Sequence, residues 1–209
     1  MIVKICGIKE EDTLLCCEQN NVEFFGMIFY EKSPRNISIE NASFLQKISK
    51  DLNINGVGVF VDKNIDELEE IIKLIDLKFI QLHGSEDILY IKNLKKTGVK
   101  IIKSISISNK NDLDKMRIYK DVDYFLFDYK PLKNELPGGN AKSFDWEILK
   151  NVKTNTPWFL SGGINSKNIG QILQDVNPFG VDLSSGVEKE LGIKDNHIIN
   201  NFIGKLKNA

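Results

Sequence analysis

Short apolar runs rich in β-branched residues alternate along this chain with longer amphipathic, charged stretches, eight times over. The runs predict strands at Ile2–Cys6, Phe24–Phe29, Gly56–Val61, Phe79–His83, Lys100–Ser104, Tyr124–Asp128, Trp158–Ser161 and Gly180–Leu183. The stretches between them predict helices at Glu10–Asn20, Ile39–Leu52, Ile65–Ile75, Ser85–Lys96, Asn111–Tyr119, Phe144–Val152, Ser166–Gln174 and Asp195–Lys207. The strand runs are nearly continuous in apolar residues, as strands buried on both faces of a parallel sheet must be. Ser85, with Glu86 and Asp87 behind it, and Ser166 stand where helix caps are needed. An open flavodoxin-like sheet uses about five such units. Eight fit a closed barrel, so the pattern predicts an α/β fold, a single-domain TIM (β/α)8 barrel over residues 1–209.

Composition narrows the function classes. The 209 residues suffice for one domain with a sizeable core, and 42% hydrophobic with 27% charged residues is a globular composition. A net charge of −1 argues against nucleic acid or an anionic membrane surface as partner. No apolar run is long enough to span a bilayer, and Met1-Ile2-Val3-Lys4 lacks signal-peptide organisation. Three cysteines make no disulfide framework, so a reducing, cytoplasmic location is expected.

In a barrel of this type the chemistry gathers at the C-terminal strand ends. Those ends are Cys6, the Tyr30–Asn36 loop, Asp62, His83, Ser104, Asp128, Ser161 and the Asp182–Ser185 turn. Two glycine-rich turns follow the last two strands: Leu160-Ser161-Gly162-Gly163-Ile164-Asn165 and Val181-Asp182-Leu183-Ser184-Ser185-Gly186-Val187-Glu188. Ser-Gly-Gly alone ends many strands for geometric reasons. Two such turns in succession match a phosphate site, because glycine lets backbone N–H groups approach an anion. Cys6 is either a nucleophile or base at the mouth or a small buried core residue. Asp128 follows Tyr124-Phe125-Leu126-Phe127, so the chain sets a carboxylate on the rim of the core; partial burial would suit it to proton donation. Arg35, in a chain with only two arginines, could fork onto a carboxylate or phosphate, or could be a plain surface residue. His83 could line the pocket, move protons or serve structure alone. Cys16 and Cys17 read as packing, Arg117 and His197 as surface. No cluster has metal-ligand spacing, so no metal site is expected, and no dinucleotide fingerprint is present. The long stretch Tyr129–Lys142 reads as a lid, with Gly138 and Gly139 as hinges and Lys142 facing the phosphate.

Taken together the chain resembles the phosphoribosylanthranilate isomerase family along its whole length. The marks are Lys4-Ile5-Cys6-Gly7-Ile8, Ser33-Pro34-Arg35, Gly58-Val59-Phe60-Val61, Gln81-Leu82-His83-Gly84, Phe127-Asp128, Gly138-Gly139 with Phe144-Asp145-Trp146, and the two glycine turns. The resemblance implies a cofactor-free Amadori rearrangement of N-(5-phosphoribosyl)anthranilate in tryptophan biosynthesis. It implies Asp128 as general acid, Cys6 as general base, and Arg35 on the anthranilate carboxylate. His83 and Asp182 would contact substrate, with backbone around Gly162, Gly163, Ser185 and Gly186 on the phosphate. A small phosphosugar is the expected partner, with no membrane or nucleic acid, in a monomer or homodimer. One departure is Asn140-Ala141, where the family's lid reads Thr-Gly; alanine gives up glycine's access to positive φ. A histidine-pathway isomerase acting on ProFAR would pair two aspartates, whereas strand one here ends in Cys6. A ribulose-phosphate epimerase would need metal-binding histidines, and a barrel that only binds phosphosugars has no use for Cys6 with Asp128.

Overall fold

The computed structural model describes residues 1–208. Eight parallel strands close into a barrel: β1 (Ile2–Cys6), β2 (Phe24–Ile28), β3 (Asn55–Phe60), β4 (Phe79–Leu82), β5 (Lys100–Ile107), β6 (Tyr124–Tyr129), β7 (Trp158–Leu160) and β8 (Gly180–Leu183). Closure is made where β1 pairs with β8, Lys4 standing opposite Asp182. On its other side β1 pairs with β2, Cys6 opposite Gly26.

Alternation along each strand divides the apolar residues between two cores. Outward side chains such as Ile5, Phe25, Ile80 and Phe127 pack under the helices in one large cluster. Inward ones form a smaller cluster of Phe24, Val57, Val59, Ile102, Leu126 and Phe159, with Cys6 at its upper edge. Edge-to-face rings plug this interior: Phe24 lies 5.1 Å from Phe79 and 5.8 Å from Phe159. The same alternation puts Lys4, Gln81, His83, Asp128 and Asp182 inside, above the plug. The interior is therefore apolar below and polar at the C-terminal mouth.

Helices α1 (Glu11–Gln19), α2 (Ile39–Asp51), α3 (Ile65–Ile75) and α4 (Ile88–Lys95) fill the first half of the outer ring. Ser38 caps α2, and Asn64 caps α3 by accepting from Asp66 and Glu67 N–H. The cap of α4 is Asp87, which accepts from Tyr90 N–H, and not Ser85. Ser85 instead donates both its N–H and its hydroxyl to Asp62. Two predicted helices are absent as such. Asn111–Tyr119 is a 3-10 segment (Lys110–Arg117), and Phe144–Val152 shrinks to a 3-10 turn (Trp146–Leu149). The first offers too few apolar residues for a packed helical face. Helix α5 (Ile169–Asp175) starts later than predicted, with Asn168 rather than Ser166 at its head. A short hairpin, β9 (Glu188–Glu190) and β10 (Ile193–Lys194), precedes the final helix α6 (Asn196–Lys207). No helix among the described residues is long and apolar enough to cross a membrane.

Candidate active site

Two adjoining cavities open at the C-terminal mouth, and they differ in character. One, of about 340 Å³, lies between the β7 and β8 turns and the lid, lined by Gly162, Gly163, Ser185, Gly186 and Lys142. The other, of about 530 Å³, has apolar walls from Ile28, Val59, Val61, Leu136 and Pro137, with Cys6, Arg35 and His83 also lining it. Asp128, Asp182, Ser161, Ser184 and the two lid glycines border both. The residues given roles by the resemblance thus gather around one bipartite cavity, while the strand-end residues Asp62 and Ser104 line neither part.

The glycine turns fit tightly because a side chain would not. A Cβ on Gly163 would stand 3.0 Å from the Lys142 backbone, and one on Gly186 would overlap the Ile164 carbonyl. Gly163 also has φ +72°, in the left-handed region. The two turns and the lid can therefore wall a small anionic group on three sides.

The lid, residues 130–145, lies across the mouth. Gly138 packs against His83 and Asp128, and the Gly139 carbonyl accepts from Arg35 Nη2 at 3.3 Å. The Lys142 ammonium, expected at the phosphate, is instead paired with Glu135 and sits 6.0 Å from the Tyr129 ring centre. That pair ties the two limbs of the lid together. Ala141 adopts φ +55° even without glycine's freedom.

Three charged groups that sequence alone did not single out, Lys4, Glu188 and Lys194, complete the site. Lys4, fully buried, donates to Asp182 Oδ1 at 2.8 Å. Burial lowers the pKa of the Lys4 ammonium, but Asp182 and Cys6 outweigh it and the net shift is upward. Burial pushes the Cys6 thiol up, Lys4 opposes that, Asp182 adds to it, and Lys194 opposes it again. Burial likewise raises the Asp182 carboxyl, with Lys4 opposing and the nearby Asp128 charge adding to the rise. Arg35, only 2% exposed, grips Glu188 with both Nε (2.7 Å) and Nη2 (2.8 Å), which turns Nη1 toward the lid at Gly139. Lys194 reaches the same carboxylate at 2.7 Å and the Ser184 carbonyl at 3.0 Å. Burial alone would raise the Glu188 carboxyl; Arg35 and Lys194 overcome it and hold the pKa at about 2. The β9–β10 hairpin thus braces both Arg35 and the β8 turn. Ser184 hydroxyl closes the frame by donating to the Cys6 carbonyl at 3.1 Å.

Asp128 sits at the join of the two cavities, 5% exposed. Its Oδ1 accepts from Tyr129 N–H at 2.8 Å, and its Oδ2 lies 3.3 Å from His83 Nε2. His83 Nδ1 in turn lies 2.8 Å from Gln81 Nε2. The loop carrying His83 is pinned from outside the barrel by the buried pair Lys103–Glu86 (2.8 Å), with Lys103 also donating to the Gly84 carbonyl at 2.7 Å. One sign could have exposed Lys4 in advance: it stands two residues before Cys6 on one strand and so shares its inward face.

Anion-walling turns on one rim and proton-handling groups on the other define a (β/α)8-barrel enzyme of the class that works on phosphorylated sugars. Comparison with known proteins identifies the branch. Residues 3–205 match the family described as N-(5'phosphoribosyl)anthranilate (PRA) isomerase. The chain is 38% identical to N-(5'-phosphoribosyl)anthranilate isomerase of Mesorhizobium japonicum, over 99% of this chain and 95% of that one. It is 41% identical to the protein of that name from Agrobacterium fabrum, over 92% and 89%. The solved phosphoribosyl anthranilate isomerase from Thermotoga maritima superposes with a TM-score of 0.89 at 31% identity, covering all of both chains. A further isomerase structure, in complex with reduced 1-(o-carboxyphenylamino)-1-deoxyribulose 5-phosphate, superposes at 0.85 with 30% identity, again over all of both chains. The chain belongs to the N-(5'-phosphoribosyl)anthranilate isomerase family.

Proposed function

We propose that the bipartite cavity converts N-(5-phosphoribosyl)anthranilate to 1-(2-carboxyphenylamino)-1-deoxyribulose 5-phosphate, with Asp128 as acid and Cys6 as base. The observation that carries this reading is the change of character across Asp128. On one side is a polar pocket walled by glycine turns, on the other an apolar pocket lined by an arginine. In this pose backbone around Gly162, Gly163, Ser185 and Gly186 holds the phosphate. The anthranilate ring lies against Val59, Val61, Leu136 and Pro137, and its carboxylate meets Arg35. The ribose then spans the join, where Asp128, Asp182, His83 and Cys6 converge.

Asp128 gives its proton to the ring oxygen O4′; the C1′–O4′ bond breaks and nitrogen supplies the electron pair, leaving a protonated Schiff base. That cation acidifies the C2′–H bond and offsets the burial that holds Cys6 as a thiol. Lys4 and Lys194 act in the same direction. The Cys6 thiolate removes the C2′ proton to give an enolamine, which takes a proton at C1′ as C2′ becomes the ketone. C1′ is reduced as C2′ is oxidised, so electrons balance within the substrate and no cofactor is called for. Acid and base stand on different strands because their protons belong to different atoms. Each transfer contributes about 10²–10⁴-fold.

The protein in this reading works in the cytoplasm as a monomer or homodimer. One structure that superposes with a TM-score of 0.84 at 31% identity is of monomers generated from the dimeric phosphoribosylanthranilate isomerase of Thermotoga maritima. The test is turnover of freshly made phosphoribosylanthranilate, followed by loss of its aromatic fluorescence and by identification of the product. The expected result is steady loss without added metal or cofactor. A flat trace from folded protein contradicts the reading.

A further inference from the structure

We propose that Gln81 is a positioning residue for the acid: its side-chain amide fixes His83 in the Nε2–H tautomer, aimed at Asp128. Gln81 and His83 are two residues apart, so both face the barrel interior. The Gln81 amide nitrogen lies 2.8 Å from His83 Nδ1, and His83 Nε2 lies 3.3 Å from Asp128 Oδ2. An amide nitrogen only donates, so the first contact is a hydrogen bond only when Nδ1 carries no proton. The imidazole proton then sits on Nε2 and points at the carboxylate.

Gln81 is 1% exposed and its Oε1 has no partner. Turning the amide over would set Oε1 against an Nδ1–H and leave both amide N–H donors unpaired, where the present orientation leaves Oε1 and one N–H. In a neutral ring it would also turn the bare Nε2 lone pair toward Asp128, which then has to donate its own proton there. That arrangement would commit the acid's proton to His83 and withhold it from the substrate. The orientation present does the reverse. It leaves the Asp128 proton free for O4′ and supplies an N–H to the carboxylate that forms once the proton has gone. The other charged or titratable groups on this cavity are Tyr30, Arg35, Cys6 and Asp182, the last already engaged by Lys4.

The proposal rests on Asp128 being the acid, and the experiment separates the two claims. His83 and His197 are the only histidines. His197 is exposed on α6, so His197→Asn leaves one imidazole to follow by ¹⁵N NMR in the whole protein. At neutral pH we expect a protonated Nε2 and an unprotonated Nδ1. In Gln81→Glu a carboxylate faces Nδ1 and favours the doubly protonated ring. We expect the His83 titration to move up by about one pH unit or more, and kcat to fall about tenfold with KM within about twofold. Gln81→Leu, which adds no charge, should give mixed tautomers and the same fall confined to kcat. An Nδ1–H tautomer in the parent protein, or an unchanged imidazole in both variants, overturns the proposal. So does a loss of activity that appears only in KM. Full activity in Asp128→Asn would overturn the acid assignment beneath it, and the spectra, which need no turnover, tell that failure from failure of the Gln81 contact.

Discussion

At the scale of single residues, the mouth of the barrel is a set of buried charges that hold one another in place. Glu188 shows the energetics most clearly. Its side chain is 4% exposed, it serves both Arg35 and Lys194, and its carboxyl pKa is held at about 2 against an ordinary 4.5. A depressed carboxylate pKa stabilises the fold above the ordinary value, and that stability drains away as pH falls toward the folded value. Between pH 7 and pH 3 this amounts to about 2 kcal/mol. Glu188→Gln leaves two buried cations without their counter-charge, which costs about 3–5 kcal/mol at neutral pH. Urea denaturation should show that deficit at pH 7 and a gap narrower by about 2 kcal/mol at pH 3. In the same variant, KM should rise more than kcat falls, because the Arg35 fork has lost its brace.

At the scale of elements, the lid and the glycine turns work by close approach. Gly139 has φ +70°, and a Cβ there would run into Arg35 Nη1. Gly98 has a similar φ, +83°, with nothing within 4 Å of where its Cβ would be. The two positions therefore separate backbone strain from loss of the arginine. Gly98→Ala should cost about 1 kcal/mol of stability with unchanged kinetics. Gly139→Ala should pay the same strain and also raise KM roughly tenfold, as Arg35 or the lid gives way. Thermal unfolding and steady-state kinetics on both variants check this. Equal kinetic effects at the two positions would detach Gly139 from the arginine.

At the scale of the whole molecule, the eight-fold alternation was legible because strands buried on both faces must be apolar almost throughout. The ring of helices was less so. Lys110–Arg117 has charges enough for a helix but only Leu113 and Met116 to pack beneath it, and it settles as a 3-10 segment. In the site, Cys6, Asp128 and the glycine turns stood out by their place at strand ends, and a full-length resemblance supplied their roles. Glu188 could not be matched to Arg35 from sequence, since 153 residues separate them and only barrel closure brings them together. Lys4 was hidden for the opposite reason: a lysine flanked by apolar residues reads as a strand edge until β8 places Asp182 beside it.

The proposed catalysis rests on two proton transfers at opposite sides of one bound sugar. The direct measurement is kcat and KM for Cys6→Ala and Asp128→Asn with phosphoribosylanthranilate, beside circular dichroism and binding of a reduced product analogue. Each variant should remain folded, bind the analogue within a few-fold of the parent, and lose about 10²–10⁴ in kcat. Either variant turning over substrate at the parent rate would contradict the assignment of its residue, and both doing so would contradict the mechanism as a whole.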